Sequence, residues 1–166
     1  MGGEVSLTFF DPTTALSPPD AISYFDGACE PVNPGGTGGW GFIIRDFTGA
    51  ILKEGHGRIA ASPDVTNNVA EYVAAGKALQ AYIALNRPGP FLLRGDSKLV
   101  VMQMQGAWQA RQGAYIKVLE KVRALAATCT FEIRWEWVPR EQNARADALS
   151  KLSLEEIGIT PAVRKR

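Results

Sequence analysis

The chain has 166 residues, of which 46% are hydrophobic and 21% charged, as is typical of one soluble, globular domain. Its 18 basic and 17 acidic residues leave a formal net charge of +1, which excludes a strongly basic protein but allows a local basic face. No apolar run approaches the ~20 residues that span a bilayer, and the N-terminus does not resemble a secretory signal peptide. We therefore expect no membrane partner.

The two cysteines, Cys29 and Cys129, are too few and too far apart for a disulfide framework. Neither belongs to a CxxC pair of the kind that binds zinc. We expect two reduced thiols in a monomeric, cytoplasmic protein.

The predicted elements begin after an irregular, proline-rich segment over residues 1–20, which we expect to form an N-terminal tail. Short turns then favour an antiparallel meander of three strands, over Ile22–Cys29, Gly38–Arg45 and Ala50–Arg58. The polar segment 66–68 supplies capping residues for a long helix, which ends before the Pro-Gly-Pro sequence at 88–90.

The second half of the chain continues with a buried strand, two helices, a strand and a final helix, over Phe91–Gly95, Ser97–Gln105, Ala114–Ala127, Thr130–Val138 and Glu141–Leu152. The order βββ-α-β-α-α-β-α predicts an α/β fold in which helices flank a five-stranded mixed sheet. We assign residues 21–153 to this domain and residues 154–166 to a C-terminal tail.

Four carboxylates stand near the ends of these predicted elements. Asp26 lies on the first strand, Glu71 in the first turns of the long helix, Asp96 after the fourth strand and Asp147 on the last helix. Taken singly, each has a structural alternative as a turn residue, a solvated helix carboxylate or, for Asp96, a helix N-cap.

The segments around these carboxylates resemble the four signature segments of the type 1 ribonuclease H family. They read DGAC at 26–29, TNN with Glu71 at 66–71, GDS at 95–97 and REQNARADALS at 140–150, in the family's order over about residues 22–152. The resemblance implies a ribonuclease H-like fold with the first and fourth strands side by side. Asp26 and Asp96 are then adjacent, and Glu71 and Asp147 reach in from helices.

Clustered carboxylates repel one another, and loss of hydration adds to the cost, so such a cluster is stable mainly with a divalent cation. Oxygen ligands alone suit Mg²⁺ or Mn²⁺ rather than zinc. The resemblance implies that Asp26, Glu71, Asp96 and Asp147 hold two ions ~3.5–4 Å apart, which activate a water and stabilise the leaving oxygen of a phosphodiester.

The resemblance also implies residues that contact nucleic acid. Amides of the first strand are expected at the 2′-hydroxyls that distinguish RNA from DNA, and a glycine-rich turn is expected at the RNA strand. For the two asparagines of the long helix and for Ser97, the alternative is a role in helix capping. The set comprises Gly27, Ala28, Cys29, Asn33, Asn67, Asn68 and Ser97.

The loop before the last helix departs from the family. Many relatives carry a histidine there, whereas the one histidine of this chain, His56, lies on the third predicted strand, where we expect an ordinary surface residue. Arg140 occupies the nearest position in the loop. It cannot shuttle protons, but its guanidinium can hold a phosphate through two hydrogen bonds, so we include it among the catalytic residues.

A second departure concerns the lysine-rich helix with which many relatives grip the DNA strand. Only the connector 106–113 remains here. In it, Trp108 and Arg111 are candidates for contact with the DNA strand, and the alternative for Trp108 is a place in the core. We expect Trp135 and Trp137, on the last strand, to pack on the sheet.

We therefore predict a metal-dependent endonuclease that hydrolyses the RNA strand of RNA/DNA hybrids and leaves 3′-hydroxyl and 5′-phosphate ends. One alternative is the same fold with a broader substrate range that includes double-stranded RNA. Another is a ribonuclease H-like module that binds nucleic acid without cutting, against which the four carboxylates argue. A proofreading exonuclease is disfavoured because Ala28 stands where that group needs a carboxylate.

Overall fold

A computed structural model describes residues 16–162, which form a five-stranded sheet in the order β3-β2-β1-β4-β5. The strands span Ala21–Glu30 (β1), Thr37–Asp46 (β2), Ile51–Ile59 (β3), Phe91–Gly95 (β4) and Ile133–Trp137 (β5). The first three pair antiparallel, whereas β4 pairs parallel to both β1 and β5. The α/β class, the mixed sheet and the order of elements predicted from the sequence are confirmed.

Four α-helices cover the sheet: Asn67–Ala84 (α1), Lys98–Met104 (α2), Ile116–Ala127 (α3) and Ala144–Glu155 (α4). Helix α1 contacts β1, β2 and α3, and helix α4 contacts all three antiparallel strands. Among the helices of residues 16–162, none has the length and apolar character needed to cross a membrane.

Glycines let both major helices lie directly on the sheet. A Cβ atom at Gly27 would stand 2.3 Å from the Glu71 backbone nitrogen in α1, and one at Gly41 would stand 2.5 Å from the Ser150 nitrogen in α4. Because Gly41 pairs with Asp26, the residue before Gly27, and successive strand residues alternate faces, α1 and α4 cover opposite faces of the sheet. Two helices carrying predicted site residues are thereby fixed to β1 and β2.

The apolar core lies mainly between the sheet and helices α1 and α3. Its largest buried side chains come from β1, α1, β4 and α3, and they include Phe25, Tyr72, Leu79, Tyr82, Phe91, Leu93 and Leu119. Rings in this core stack, as Tyr82 does on Phe91 with a centroid distance of 4.0 Å. Burial of one such side chain contributes roughly 1.5–3 kcal/mol to folding, so this face holds the strands in register.

The last helix differs from its predicted bounds at both ends. A short 3-10 turn occupies Arg140–Gln142, and α4 then runs from Ala144 to Glu155. Leu154 is fully buried in α4, and Arg58 donates a hydrogen bond to the Ser153 carbonyl. The predicted end of the last helix at Leu152 is therefore wrong, because apolar packing carries the helix into the segment assigned to the C-terminal tail.

The predicted N-terminal tail lies largely outside the described residues, and so do residues 163–166 at the other end of the chain. Its last residues are attached to the domain. Asp20 accepts hydrogen bonds from Arg87 and Tyr82, and Arg134 donates to the Ser17 carbonyl.

We predict that Gly27→Ala lowers the melting temperature and the activity together, because the new methyl group overlaps backbone atoms of α1 that cannot move independently. Overpacking of this kind costs about 1–3 kcal/mol. The measurement is thermal unfolding beside Gly76→Ala, a control in α1 whose new methyl group would meet only the movable Val122 Cγ2, at 3.1 Å. Equal losses in the two variants would contradict the account.

Candidate active site

The parallel ladder between β1 and β4 ends at the pair Phe25–Gly95, and Asp26 and Asp96 are the next residues on the two strands. The carboxyl ends of neighbouring parallel strands are a common position for binding sites in α/β sheets. Asp26 is fully buried, whereas Asp96 is half-buried. The adjacency expected from the resemblance is present.

Glu71 joins this pair because α1 lies against Gly27, next to Asp26. One carboxylate oxygen from each of Asp26, Glu71 and Asp96 lies within 4.8 Å of the other two. We call these three residues the carboxylate cluster. Carboxylate oxygens at such separations can share one or more divalent cations of the Mg²⁺ class.

The electrostatics of the cluster centre on Asp26. Burial, followed by the nearby negative charge of Asp96, raises the pKa of Asp26 from 3.8 to about 7. No backbone amide or basic side chain of the described residues donates a hydrogen bond to its oxygens, and its side-chain neighbours are the carboxyls of Glu71 and Asp147. A carboxylate held in this way fits a cation ligand, since a bound cation would neutralise a charge that the protein leaves uncompensated.

Asp147 stands beside the carboxylate cluster but not among the three residues that meet within 4.8 Å. Burial opposes its ionisation, but a 3.0 Å hydrogen bond from Lys151, a hydrogen bond with the Asp26 carboxyl and the charge of Arg140 keep its pKa below the ordinary value. The Arg140 guanidinium lies 4.0 Å from Asp147 Oδ1. The fourth carboxylate is thus ionised and has two cationic neighbours, whereas Asp26 tends to hold a proton.

A surface cavity of about 360 Å³ opens onto the cluster. It joins the start of α1, the start of α2, the end of β5 and the 3-10 turn, and its lining residues are Asn67, Asn68, Glu71, Asp96, Ser97, Trp137 and Arg140. Six of the predicted site residues other than Asp26 and Asp147 therefore share one opening. Six of the seven lining residues have polar or charged side chains that can contact a charged substrate.

The hydrogen bonds at the starts of α1 and α2 show which residues cap these helices. Thr66 caps α1, since its hydroxyl accepts a hydrogen bond from the Val69 amide, so Asn67 and Asn68 are not the capping residues. Ser97 caps α2 through the Val100 amide, at 3.3 Å. Asn68 is exposed in the cavity and is available to a ligand.

Asn67 links β1 to the glycine-rich turn. Its Oδ1 accepts a 2.8 Å hydrogen bond from the Cys29 amide, and its own amide donates to Asn33 Oδ1 at 3.1 Å. The Cys29 amide is therefore engaged within the protein, and the expected approach of the Gly27–Cys29 backbone to a 2′-hydroxyl stays a prediction. Ala28 is buried, whereas Asn33 is exposed beside the turn.

The structure also separates the tryptophans. Trp137 lines the cavity, donates a hydrogen bond to the Asp96 carbonyl and lies under the Lys98 ammonium, 4.7 Å from the ring centroid. Its assignment to sheet packing is wrong, because the β4–β5 register places it directly across from Gly95, next to Asp96. Trp135 does pack inward, edge-on against Phe25. Trp108 is 46% exposed and is not a core residue.

Outside the site, His56 is exposed on β3 and lies 3.3 Å from Glu156. Cys29 and Cys129 are free thiols, as expected, and burial raises the pKa of each.

We predict that Asp26→Asn stabilises the metal-free protein at pH 8 by at least about 1.4 kcal/mol, the free energy of one pKa unit. The pKa of Asp26 is higher in the folded protein than in the unfolded chain, so between these two values the folded protein holds a proton that the unfolded chain has released. The free energy of unfolding of the wild type therefore falls as pH rises from about 4 to about 7. The gain from the substitution should therefore shrink towards pH 4. The measurement is urea unfolding with a chelator at several pH values, and a gain independent of pH would contradict the assigned cause.

Known protein sequences that resemble this chain include a family model and several ribonucleases H. A family model described as Reverse transcriptase-like matches residues 24–153. Ribonuclease H of Ruegeria sp. (strain TM1040) is 33% identical over 150 residues, which cover 82% of this chain and 92% of that protein. Ribonuclease HI of Halobacterium salinarum is 37% identical over 152 residues, covering 86% and 70%.

Solved structures agree. LC11-RNase H1 in complex with an RNA/DNA hybrid superposes with a TM-score of 0.75 at 31% identity, over 82% of this chain and 98% of that one. RNase H1 from the halophilic archaeon Halobacterium salinarum gives a TM-score of 0.73 at 33% identity with the same coverage. The chain therefore belongs to the ribonuclease H family and is an enzyme of its type 1 branch.

Proposed function

We propose that this enzyme hydrolyses the RNA strand of RNA/DNA hybrids with Mg²⁺ or Mn²⁺, and leaves 3′-hydroxyl and 5′-phosphate ends. The observation that carries the proposal is the carboxylate cluster at the splayed ends of β1 and β4, open to a polar cavity. The similarity to LC11-RNase H1, which was solved with an RNA/DNA hybrid, supports the choice of substrate.

Asp26, Glu71 and Asp96 would hold the cations, and Asp147 would complete a set of ligands for two ions. Divalent cations held by these residues would lower the pKa of a water nucleophile and would offset negative charge on the leaving oxygen. Helices α1 and α4 pack directly on the sheet at Gly27 and Gly41, which fixes the backbone that carries Glu71 and Asp147. The carboxylates therefore need little rearrangement when a cation binds.

The residues around the cavity would orient the RNA strand. Asn68 is exposed at the start of α1, and Asn33 is exposed in the neighbouring turn. Amide groups at these places can donate hydrogen bonds to sugar and base edges in the minor groove, where a 2′-hydroxyl marks RNA. The exposed Trp108 on the connector offers a flat apolar surface to the DNA strand, and its contact there stays a prediction.

Arg140 would hold a phosphate at the entrance of the site. It lines the cavity together with Asp96, and its guanidinium remains about one-third exposed although it faces Asp147. A guanidinium cannot transfer protons at neutral pH, so its part is electrostatic: it would place the phosphate and offset its charge.

The first test is cleavage of labelled RNA/DNA hybrid, duplex RNA, duplex DNA and single strands, each with Mg²⁺, Mn²⁺ or chelator. We expect cleavage of the hybrid with either metal and none with chelator. Asp96→Asn should lose activity by at least about 10³-fold while remaining folded, since it removes a cation ligand and one repelling charge. Cleavage of duplex RNA at a rate comparable to that of the hybrid would favour the broader substrate range. A wild-type rate of hybrid cleavage in Asp96→Asn would contradict the proposal.

A second prediction compares two basic side chains near α4. Arg140→Ala should slow hybrid cleavage by roughly 10- to 100-fold, the scale of one charge-assisted contact worth about 1.5–3 kcal/mol. His56→Ala is the matched control and should keep the wild-type rate at every pH, because His56 contacts Glu156 at the far end of α4. Steady-state rates from pH 6 to pH 9 measure both, and the reverse result would overturn the role of Arg140.

A further inference from the structure

We infer that Asn143 is a positioning residue that sets the place of Asp147 relative to Asp26. The inference rests on the proposed function of the site and adds a residue that touches neither metal nor substrate. Asn143 lies between the 3-10 turn and α4 and is 1% exposed.

The side chain of Asn143 crosses from α4 to the sheet. Its Nδ2 donates a buried 2.9 Å hydrogen bond to the carbonyl of Phe25. Phe25 is the last β1 residue paired with β4 and directly precedes Asp26. The bond therefore joins α4 to β1 at the point where the two parallel strands part and the carboxylate cluster begins.

The backbone of Asn143 continues the link to the other side of the site. Its carbonyl accepts the Asp147 amide at 3.0 Å, and its amide donates to the Arg140 carbonyl at 2.9 Å. One residue thus connects the strand that carries Asp26, the helical turn that carries Asp147 and the turn that carries Arg140. This link stands beside the contact between the Asp26 and Asp147 carboxyls, which also joins the Phe25–Asp26 segment to α4.

The choice of side chain at this helix start argues for a positioning role. Asparagine at an N-cap usually accepts a bond from its own helix, worth about 1 kcal/mol. Asn143 stands at the N-cap of α4 but makes no such bond, because its side chain is committed to β1. Its Oδ1 is buried and accepts no hydrogen bond in the described residues. The arrangement forgoes local helix stability, and what it gains is a fixed distance between two carboxylate-bearing elements.

The test uses Asn143→Ser, because serine can cap α4 but is too short to reach Phe25. The control is Ser150→Ala, which removes the 2.7 Å bond from Ser150 to the Asp147 carbonyl within α4 and leaves the link to β1 intact. Both variants lose one buried hydrogen bond in the same helix, so thermal unfolding should place their stabilities close together. A difference between the two variants in catalysis or metal binding then reflects the position of Asp147 relative to Asp26 rather than a loss of folded protein.

Two readouts are measured for both variants, alone and combined with Asp147→Asn. The first is kcat and KM on the hybrid, and the second is the Mn²⁺ dissociation constant by calorimetry without nucleic acid. We expect Asn143→Ser to lower kcat and weaken Mn²⁺ binding by roughly 10- to 100-fold with little change in KM, the scale of losing a residue that orients a metal ligand. Ser150→Ala should stay within about twofold of wild type on both, the scatter of independent sites.

Combination with Asp147→Asn gives the deciding result. If Asn143 acts through Asp147, adding Asn143→Ser to Asp147→Asn causes little further loss in either readout, because the group being positioned is already gone. Fully additive losses, or equal effects of Asn143→Ser and Ser150→Ala, would overturn the inference. Because Mn²⁺ binding is measured without substrate, it tests the inference even if the wild-type enzyme does not cut the hybrid and the proposed function fails.

Discussion

The site depends on the burial of a carboxyl group that the protein does not compensate. Asp26 is fully buried and close to the carboxyls of Asp96, Glu71 and Asp147, and no backbone amide or basic side chain of the described residues donates a hydrogen bond to it. Such a group destabilises the folded chain when ionised, and the rest of the fold must offset that cost. The extensive apolar core on the α1 face supplies the stability that permits it.

Close backbone packing is the means by which the fold brings the acidic groups together. Glycines at positions 27 and 41 allow α1 and α4 to approach β1 and β2 more closely than any side chain would permit. Glu71 and Asp147 thereby reach the strand end from opposite faces of the sheet. Asp147 differs in its environment, because Lys151 and Arg140 offset its charge. Among the four acidic groups, Asp26 is thus the fully buried one beside other carboxyls, whereas Asp147 has two cationic neighbours.

Much of this arrangement is predictable from the sequence. The order of elements and the acidic positions follow from periodicity, turn residues and four short motifs in sequence order. The features that the sequence analysis did not predict depend mainly on contacts between distant segments. The Cys29 amide is engaged by Asn67, and Trp137 faces the cavity because β5 ends beside Gly95. The end of α4 follows from the packing of Leu154, which continues the helical spacing of the buried residues Ala146, Leu149, Ser150 and Ser153.

The central claim is that the carboxylate cluster binds divalent cations, and calorimetric titration of the substrate-free protein with Mn²⁺ tests it most directly. The account predicts saturable binding to the wild type and its loss in Glu71→Gln, a variant that keeps the side-chain length and removes the charge. Circular dichroism and thermal unfolding verify that the variant is folded. Unchanged Mn²⁺ affinity in Glu71→Gln, or no binding to the folded wild type at millimolar metal, would contradict the account.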